Sequence, residues 1–525
     1  MVVQGAIEAG SYIYLPHTLH TLEDASNRLA HNLLRLGIGP GVRTVLMVTP
    51  GFDFFALTFA LFKTGAIPIL IDPGMGVKSL KTCIAEAEPT AFIGIPKAHL
   101  ARMILGWGKK TIRIRVVAGF WLPGFGIPLK SFRRDIDAPF VPVHAEPDDM
   151  AAILFTSGST GPPKGAVYTH GIFEAQIESL RQDYGVKPGE LDLATFPLFA
   201  LFGPALGMAA VIPDMDATRP AQADPRGIID AITTFKTTNM FASPALIERV
   251  GRFGEANDVR LPTLKRVVSS GAPATPASLA RFATMLESDA QILPSYGATE
   301  ALPVAFISHH EQIRETARLT AEGAGVCVGR PVRGIEVSIM KITDAAVPEY
   351  TADWRQPSGE AGEIVVCGPV VTPMYYNRPE STVLAKMWDA EGRLYHRMGD
   401  IGYLDAEGKL WMCGRKSHRV ETSEGILFSV ACERVFNEHP AVQRTALVGV
   451  LRAGETVPVL CVEKRRDARM DNETVREELL EIGAANPRTK AIRTILFHPA
   501  FPVDIRHNAK IFREKLAEWA TERLP

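Results

Sequence analysis

Thr156-Ser157-Gly158-Ser159-Thr160-Gly161-Pro162-Pro163-Lys164-Gly165 follows the apolar run Ala151-Ala152-Ile153-Leu154-Phe155 and leads into Ala166-Val167-Tyr168-Thr169-His170. The pattern reads as a strand, a Gly- and hydroxyl-rich loop, and a return to ordered structure. Glycines let a backbone turn its N–H groups inward around an anion. Ser157, Ser159 and Thr160 add hydroxyl donors and Lys164 adds a positive charge. The stretch is built to hold a polyphosphate. It is not a Walker loop, which needs G-x-x-x-x-G-K-[ST]. Lys164 follows two prolines and precedes Gly165, away from the opening turn of a helix. A plain polar turn is the competing reading, and the density of hydroxyls, glycines and a lysine weighs against it.

Outward from this loop, strands and helices alternate. Thr21-Leu22-Glu23-Asp24 supplies an N-cap hydroxyl and early acids for a helix. Leu22, Ala25, Leu29, Leu33 and Leu36 then fall near helical period. Residues 42–48 read as a strand, 54–65 as a helix and 67–71 as a strand, with further apolar runs at 91–95, 112–117 and 153–156. Residues 171–184 read as a helix. The alternation argues an α/β fold with a large N-terminal domain of layered, mostly parallel sheets. From about 335 to 366 the strands alternate and are punctuated by Gly359, Gly362 and Gly368, which suggests a β-rich subdomain. Behind Gly414-Arg415-Lys416-Ser417 the chain restarts, with helices at 431–438, 472–482 and 511–520 and strands at 445–450 and 457–463. The expected division is a core over 1–414 and a small mobile α+β lid over 415–525, with a hinge near Ser417. A chain of 525 residues fits more than one domain.

Hydrophobic content of 46% and charged content of 22% are those of a soluble globular protein. A net charge of −1 gives no electrostatic argument for nucleic acid or an acidic membrane surface. Cys83, Cys327, Cys367, Cys413, Cys432 and Cys461 form no C-x-x-C, so a disulfide framework or zinc site is not read and a reducing cytoplasm fits best. No signal peptide is read at the N-terminus. The most apolar segment, 54–62, is broken by Thr58 and stops before Lys63, too short to span a bilayer, while peripheral membrane contact stays open. The His309-His310 pair has no third ligand at zinc spacing. Gly323 to Gly329 tempts a dinucleotide-binding reading, but the spacing is wrong and Pro331 stops a helix.

Three strand exits are candidates for one site. Leu193-Ala194-Thr195-Phe196-Pro197-Leu198-Phe199-Ala200-Leu201-Phe202-Gly203-Pro204 reads as a core strand with a turn. Its Phe196, Phe199, Leu201, Phe202 and Gly203 are expected to line an apolar pocket. Val267-Val268-Ser269-Ser270-Gly271-Ala272-Pro273 and Ile292-Leu293-Pro294-Ser295-Tyr296-Gly297-Ala298-Thr299-Glu300 both run from strand into turn. In open α/β sheets ligands gather at such exits. A carboxylate such as Glu300 beside a phosphate loop holds Mg²⁺ together with nucleotide oxygens, or is a solvated loop acid. Tyr296 stacks on a base or packs in the core. Asp400, between Gly399 and Ile401-Gly402, accepts from a ribose diol or is a turn acid. Lys510 neutralises a developing charge or is a surface lysine.

These motifs, in this order, resemble the adenylate-forming superfamily of acyl-CoA synthetases, peptide-synthetase adenylation domains and firefly-type luciferases. The resemblance covers essentially the whole chain. It implies ATP as co-substrate and Mg²⁺, with Thr156, Ser157, Gly158, Ser159, Thr160, Gly161 and Lys164 as the phosphate loop. Gly271, Ala272 and Pro273 would lie against adenine, and Ser295, Tyr296, Gly297, Ala298 and Thr299 would contact adenine and the α-phosphate. It further implies Glu300 as the magnesium ligand, Asp400 on the ribose, Arg415 on ribose and phosphate, and Lys510 bridging carboxylate and α-phosphate. Thr156, Glu300 and Lys510 are the implied catalytic set.

The chain also departs from the superfamily. Phe199 and Ala200 stand where many relatives have histidine, Ser417 stands at a hinge position often Asp or Lys, and Ala509 replaces a usual Gly. Phe196-Pro197 through Pro213-Asp214-Met215-Asp216, Cys413 through Thr422, and Phe501 through Ile511 resemble the β-lactone synthetase branch of bacterial long-chain olefin biosynthesis. That resemblance implies adenylation of a 2-alkyl-3-hydroxy fatty acid and closure by its own β-hydroxyl to a β-lactone and AMP. It implies as pathway partners a β-keto acid reductase and a β-lactone decarboxylase. A long-chain fatty acyl-CoA ligase is the alternative, sharing every adenylation residue and differing in its acceptor. A non-catalytic nucleotide sensor and a phosphotransferase are more distant readings. His418, Glu421 and His507 are candidate bases for the β-hydroxyl.

Overall fold

The computed structural model describes residues 2–8, 11–132, 139–156, 162–503 and 511–524. Ser157, Gly158, Ser159, Thr160, Gly161, His507 and Lys510 lie outside the described residues. The first helix is Leu19–Arg35, one turn earlier than the sequence suggests. Thr18, not Thr21, is its N-cap: the Thr18 hydroxyl accepts from the Thr21 N–H at 3.0 Å. The apolar stripe from Leu22 had marked the buried face correctly, but the first turn is polar and exposed and carries no such signal. The helix Phe52–Lys63 buries Phe54, Phe55, Ala56, Leu57, Ala60 and Leu61, as a segment apolar nearly all round must.

Seven strands form one sheet in the order Ile127–Pro128, Ile114–Val117, Ala91–Gly94, Arg43–Met47, Ile67–Leu70, Met150–Phe155, Gly165–Thr169. All neighbours are parallel except the last pair, an antiparallel hairpin whose connection is the phosphate loop. A fourteen-stranded sheet has an antiparallel edge pair, Ser11–Pro16 with Val2–Glu8, and then runs parallel through Ala209–Ile212, Leu191–Ala194, Asn239–Ala242, Arg266–Ser269 and Gln291–Ala298. It turns antiparallel at Ala301–Phe306 and continues through Val326–Pro331, Leu410–Arg415, Leu394–Leu404, Gly362–Cys367 and Glu336–Met340. Parallel strands buried on both faces read as continuous apolar runs, and antiparallel ones as alternations, which is why both parts are legible in the sequence.

After Arg415 comes a small α+β unit. Its sheet of Val442–Arg452, Glu455–Lys464 and Thr494–Phe497 is covered by helices on both faces. Phe436, Leu447, Leu460 and Leu479 pack on one side, and Val448, Val459, Phe501 and Leu516 on the other. The α/β class, with large N-terminal sheets and a small C-terminal α+β domain, is the one expected. The segment 193–204 differs. The strand is Leu191–Ala194, and Phe196 onward forms two short helices, Pro197–Ala200 and Gly203–Leu206. Pro197 and Pro204 sit in their opening turns, where a missing N–H costs nothing. A short apolar run does not separate strand from buried helix by period alone.

Asp192 lies in that strand, and neither carboxyl oxygen has a hydrogen-bond partner among the described residues. Burial pushes its carboxyl up to about 7. Its folded form keeps a proton that the unfolded chain has released, so stability should fall as pH rises from about 4 to 7 and stay level above. Asp192→Asn removes this slope. Denaturation midpoints at pH about 4 and about 8 should converge for the variant and differ for the parent by the equivalent of about 2–4 kcal/mol. Equal slopes in both proteins would show that Asp192 is not the titrating group.

Candidate active site

The strand exits open on one cavity of about 2290 Å³. Thr156, Lys164, Gly271, Ala272, Pro273, Ser295, Tyr296, Gly297, Ala298, Thr299, Glu300, Asp400, Arg415 and Ser417 all reach its wall, as do Phe196, Phe199, Leu201 and Phe202. Gly203 does not. It opens the second short helix, is buried, and its carbonyl accepts from the Met208 N–H at 2.8 Å.

Thr156 and Lys164 close the neck of the phosphate loop. The Thr156 N–H donates to the Lys164 carbonyl at 3.0 Å, and the Lys164 N–H donates to Thr156 Oγ1 at 3.2 Å. The Lys164 ammonium lies 4.9 Å from the centre of the Tyr375 ring. Tyr375 Oη donates to Glu300 Oε1 at 2.6 Å. The Glu300 carbonyl accepts from the Thr372 N–H at 2.9 Å and from its hydroxyl at 3.1 Å, which fixes the backbone beneath the carboxylate. Lys386 Nζ donates to Thr372 Oγ1 at 3.2 Å. Burial pulls the Lys386 ammonium down to about 7, and Glu300 opposes that shift. Glu300 Oε2 has no partner among the described residues.

Asp400 is held from two sides. Arg415 Nη1 donates to Oδ1 at 2.9 Å and Tyr296 Oη donates to Oδ2 at 2.7 Å. The antiparallel register pairs Asp400 directly with Arg415 across the sheet. Burial and the Asp400 charge raise the Tyr296 phenol well above its usual range. The Tyr296 ring packs in a core with Val304, Ile335 and Met398. Each Asp400 oxygen has one lone pair engaged and one left to accept a ligand hydroxyl. The Ser295 hydroxyl accepts from Tyr184 Oη at 2.9 Å, and the Thr299 carbonyl accepts from Tyr168 Oη at 2.7 Å, so the segment 295–299, which is strand as far as Ala298 rather than the expected turn, is braced from outside. Gly271 adopts φ of 95°, which favours glycine at the turn that brings Ala272 and Pro273 to the wall.

The other arm is aromatic. Phe241 lies 5.4 Å from Phe196 and 5.1 Å from Phe199, centroid to centroid, and Phe173 lies 6.3 Å from Phe202 and 5.9 Å from Phe62. Sequence reading found the first half of this wall and missed Phe62, Phe173 and Phe241, which sit on separate elements. It also missed Tyr375, Thr372 and Lys386, none of which stands in a distinctive string.

The candidate bases separate. Glu421 is exposed, pairs with Arg419 at 2.7 Å and does not reach the cavity. His418 lines the cavity, and burial together with the Arg513 and Arg415 charges drives its imidazole down to about 3. It is neutral throughout the working range. His418→Gln should therefore leave the acid limb of a kcat/KM–pH profile in place, where an ordinary histidine would move it at about pH 6–7. Loss of that limb in the variant would contradict the buried, neutral imidazole. Among the described residues, no group of three or more His, Cys, Asp or Glu side chains is placed to hold a metal. The donor set offered is one carboxylate, Glu300, beside a phosphate loop, which fits a Mg²⁺ that keeps waters and substrate oxygens as its other ligands.

The AMP-binding enzyme family matches residues 8–376. The chain is similar to the olefin β-lactone synthetase of Xanthomonas campestris pv. campestris, with 49% identity over 508 residues covering 96% of this chain and 90% of the relative. It is similar to the olefin β-lactone synthetase of Stenotrophomonas maltophilia, with 50% identity over 513 residues covering 96% and 91%. Among solved structures, an amide bond synthetase from Marinactinospora thermotolerans shares the fold with a TM-score of 0.80 at 22% identity, covering 98% of this chain and 96% of its own. The chain belongs to the AMP-binding, adenylate-forming enzymes, and within them it groups with the olefin β-lactone synthetases.

Proposed function

We propose that this enzyme adenylates a 2-alkyl-3-hydroxy long-chain fatty acid with ATP, releasing pyrophosphate, and then closes the acyl adenylate by its own β-hydroxyl to a β-lactone and AMP. The observation that carries this reading is one cavity whose wall has polar and charged residues, Lys164, Glu300, Asp400 and Arg415 among them, and an aromatic arm. Its volume exceeds the roughly 300–1,000 Å³ of an ordinary small-molecule pocket, as a nucleotide plus a branched acyl chain requires.

A carboxylate attacking an anionic α-phosphate must overcome repulsion, so the first step is an electrostatic problem. We assign Thr156, Lys164 and the loop 157–161 to the phosphates, Gly271, Ala272, Pro273 and Tyr296 to adenine, and Asp400 with Arg415 to the ribose. Arg415 keeps its charge, since Asp400 raises its already high pKa. Glu300 would hold Mg²⁺, which supplies Lewis-acid neutralisation of the phosphate oxygens when bound. Lys510 would bridge carboxylate and α-phosphate, with the lid turning about Ser417. In the second step the β-hydroxyl oxygen forms the ring C–O bond to the acyl carbon, the acyl C–O bond to phosphate breaks with AMP as leaving group, and the hydroxyl proton is released to the AMP phosphate or to water. Walls at Phe196, Phe199, Leu201 and Phe202 would hold the two alkyl arms so that the hydroxyl faces the acyl carbon. Such orientation supplies several kcal/mol, up to about 7–11, against the strain of a four-membered ring.

The deciding experiment incubates the purified protein with ATP, Mg²⁺ and a 2-alkyl-3-hydroxy fatty acid, with and without CoA, and extracts without heating. β-Lactone and AMP formed without CoA are expected. Thioester formed only with CoA would place the chain with the acyl-CoA ligases, and ADP in place of AMP would overturn adenylation itself.

A further inference from the structure

The near-zero net charge of the chain hides a segment of one sign. Between Glu88 and Asp135 there is no acidic residue. Lys97, Lys109, Lys110, Arg113, Arg115 and Lys130 in that interval are all exposed. The same interval exposes apolar side chains: Leu100, Met103, Ile104, Phe120, Leu122 and Ile127. Ile104 is 73% and Phe120 71% exposed, values that no packing within this chain explains. The two groups share one place in the fold. Leu100, Met103 and Ile104 stand on the helix Pro96–Leu105, and the others on the connection that follows Ile114–Val117 and on the edge strand Ile127–Pro128. The connection lies against the helix: a side chain at Gly119 would meet Pro96, and the Phe125 ring stacks on His99 with centroids 6.0 Å apart.

The same helix also bounds the cavity. Ile95, Lys97, Ala98 and Ala101 are part of the cavity wall, together with Trp107 just beyond the helix. One helix thus contributes Lys97, Ala98 and Ala101 to the cavity wall and Leu100, Met103 and Ile104 to the exposed patch. Exposed apolar side chains interspersed with cations, with no acid in the interval, are complementary to an anionic bilayer: apolar side chains enter the acyl boundary while lysines and arginines meet the headgroups. No described helix is long and apolar enough to cross a membrane, so the contact is peripheral.

We infer that the helix Pro96–Leu105, the turn after it that carries Lys109 and Lys110, and the connection after Ile114–Val117 form a docking surface for an anionic lipid bilayer, on a helix that also contributes to the cavity wall. Passage of an acyl chain between bilayer and cavity rests on the function proposed above. Attachment to the bilayer does not, and it is measured without substrate.

The test is flotation of the full chain with vesicles of phosphatidylethanolamine and phosphatidylglycerol, against vesicles of phosphatidylcholine alone. The parent should float with the anionic vesicles and much less with the neutral ones, and added salt should weaken the attachment. Lys109→Ala with Lys110→Ala should lower partitioning by about 25-fold, at roughly 1 kcal/mol per cation. Ile104→Ser with Phe120→Ser should lower it on the order of 10-fold or more. ATP–pyrophosphate exchange with a short, water-soluble acid should be unchanged in both variants, which shows that they fold. No flotation of the parent, or flotation that both variants leave intact, overturns the proposal. A patch that instead sets the sedimenting mass of the protein, lost in the Ile104→Ser, Phe120→Ser variant without any vesicle effect, would assign the surface to a second copy and overturn it as well.

Discussion

Glu300→Gln is expected to lower ATP–pyrophosphate exchange by about 10²–10³-fold, the loss typical of removing one transition-state stabilising group. The substitution isolates charge from shape. The side-chain amide oxygen can still accept from Tyr375 Oη, and the Thr372 bonds reach the Glu300 carbonyl, which the change does not touch. What disappears is the anion, with the Oε2 that has no partner among the described residues and would hold a cation. Two readouts separate this from misfolding. The apparent affinity for Mg²⁺ should weaken, and excess Mg²⁺ should recover part of the rate. Tyr375→Phe keeps the charge and frees the carboxylate to rotate, so a smaller loss, on the order of 10-fold, is expected. Full exchange activity in Glu300→Gln at ordinary Mg²⁺ would remove Glu300 from the metal role, whatever the fate of the remaining site.

Thr156, Lys164, Glu300, Asp400 and Arg415 could be singled out because each sits in a local string that implies a turn or a charge, although the expected turn at Ser295 is strand as far as Ala298. Their convergence was not in the strings. It comes from the sheet: the Leu394–Leu404 and Leu410–Arg415 pairing sets Asp400 opposite Arg415, and the step from parallel to antiparallel strands after Gln291–Ala298 brings Tyr296 beneath both. Residues whose role is to support others stayed invisible for the same reason. Tyr375 meets Glu300 across 75 positions, and nothing in Met374-Tyr375-Tyr376-Asn377 announces that contact. The aromatic segment after Ala194 was misread as strand because a short apolar run, 196–202, satisfies either period, and only the placement of Pro197 and Pro204 argued for helix. Buried charge was the least legible feature of all. Glu363 reads as an ordinary member of an alternating strand, nothing marks Arg397 as buried, and the cation that joins them, Lys416, lies in a separate segment.

Glu363→Gln should destabilise the core by about 3–5 kcal/mol, the largest stability effect expected of a single substitution here. The Glu363 and Arg397 side chains are 1% and 2% exposed, and Arg397 Nη2 donates to Glu363 Oε2 at 2.6 Å, with Nε at 3.1 Å. Lys416 Nζ donates to the same oxygen at 3.1 Å and to the Thr343 carbonyl at 2.9 Å. One carboxylate therefore compensates two cations, one of them next to Ser417. Neutralising it leaves the guanidinium buried with carbonyls alone, because arginine does not release its proton. Lys416 has another way out. Burial already depresses its ammonium, and Glu363 is the main group holding it up. A lysine whose folded pKa is lowered binds fewer protons than the unfolded chain, so its deficit shrinks as pH rises toward its free value near 10.4. The variant should accordingly recover part of its loss between neutral pH and about 10, while the parent gains less. The loss is read from the earliest denaturation transition, since a chain of this size with two units need not unfold as one. Lys416→Ala is the control. It keeps the Arg397–Glu363 pair, so it should cost only about 1 kcal/mol, yet it removes the one side-chain bond from the hinge tail to that pair. If the lid turns about Ser417 after adenylation, Lys416→Ala should alter lactone formation and spare pyrophosphate exchange. A Glu363→Gln protein as stable as its parent would mean that water, not the carboxylate, compensates Arg397, and the clamp on the hinge would fall with it.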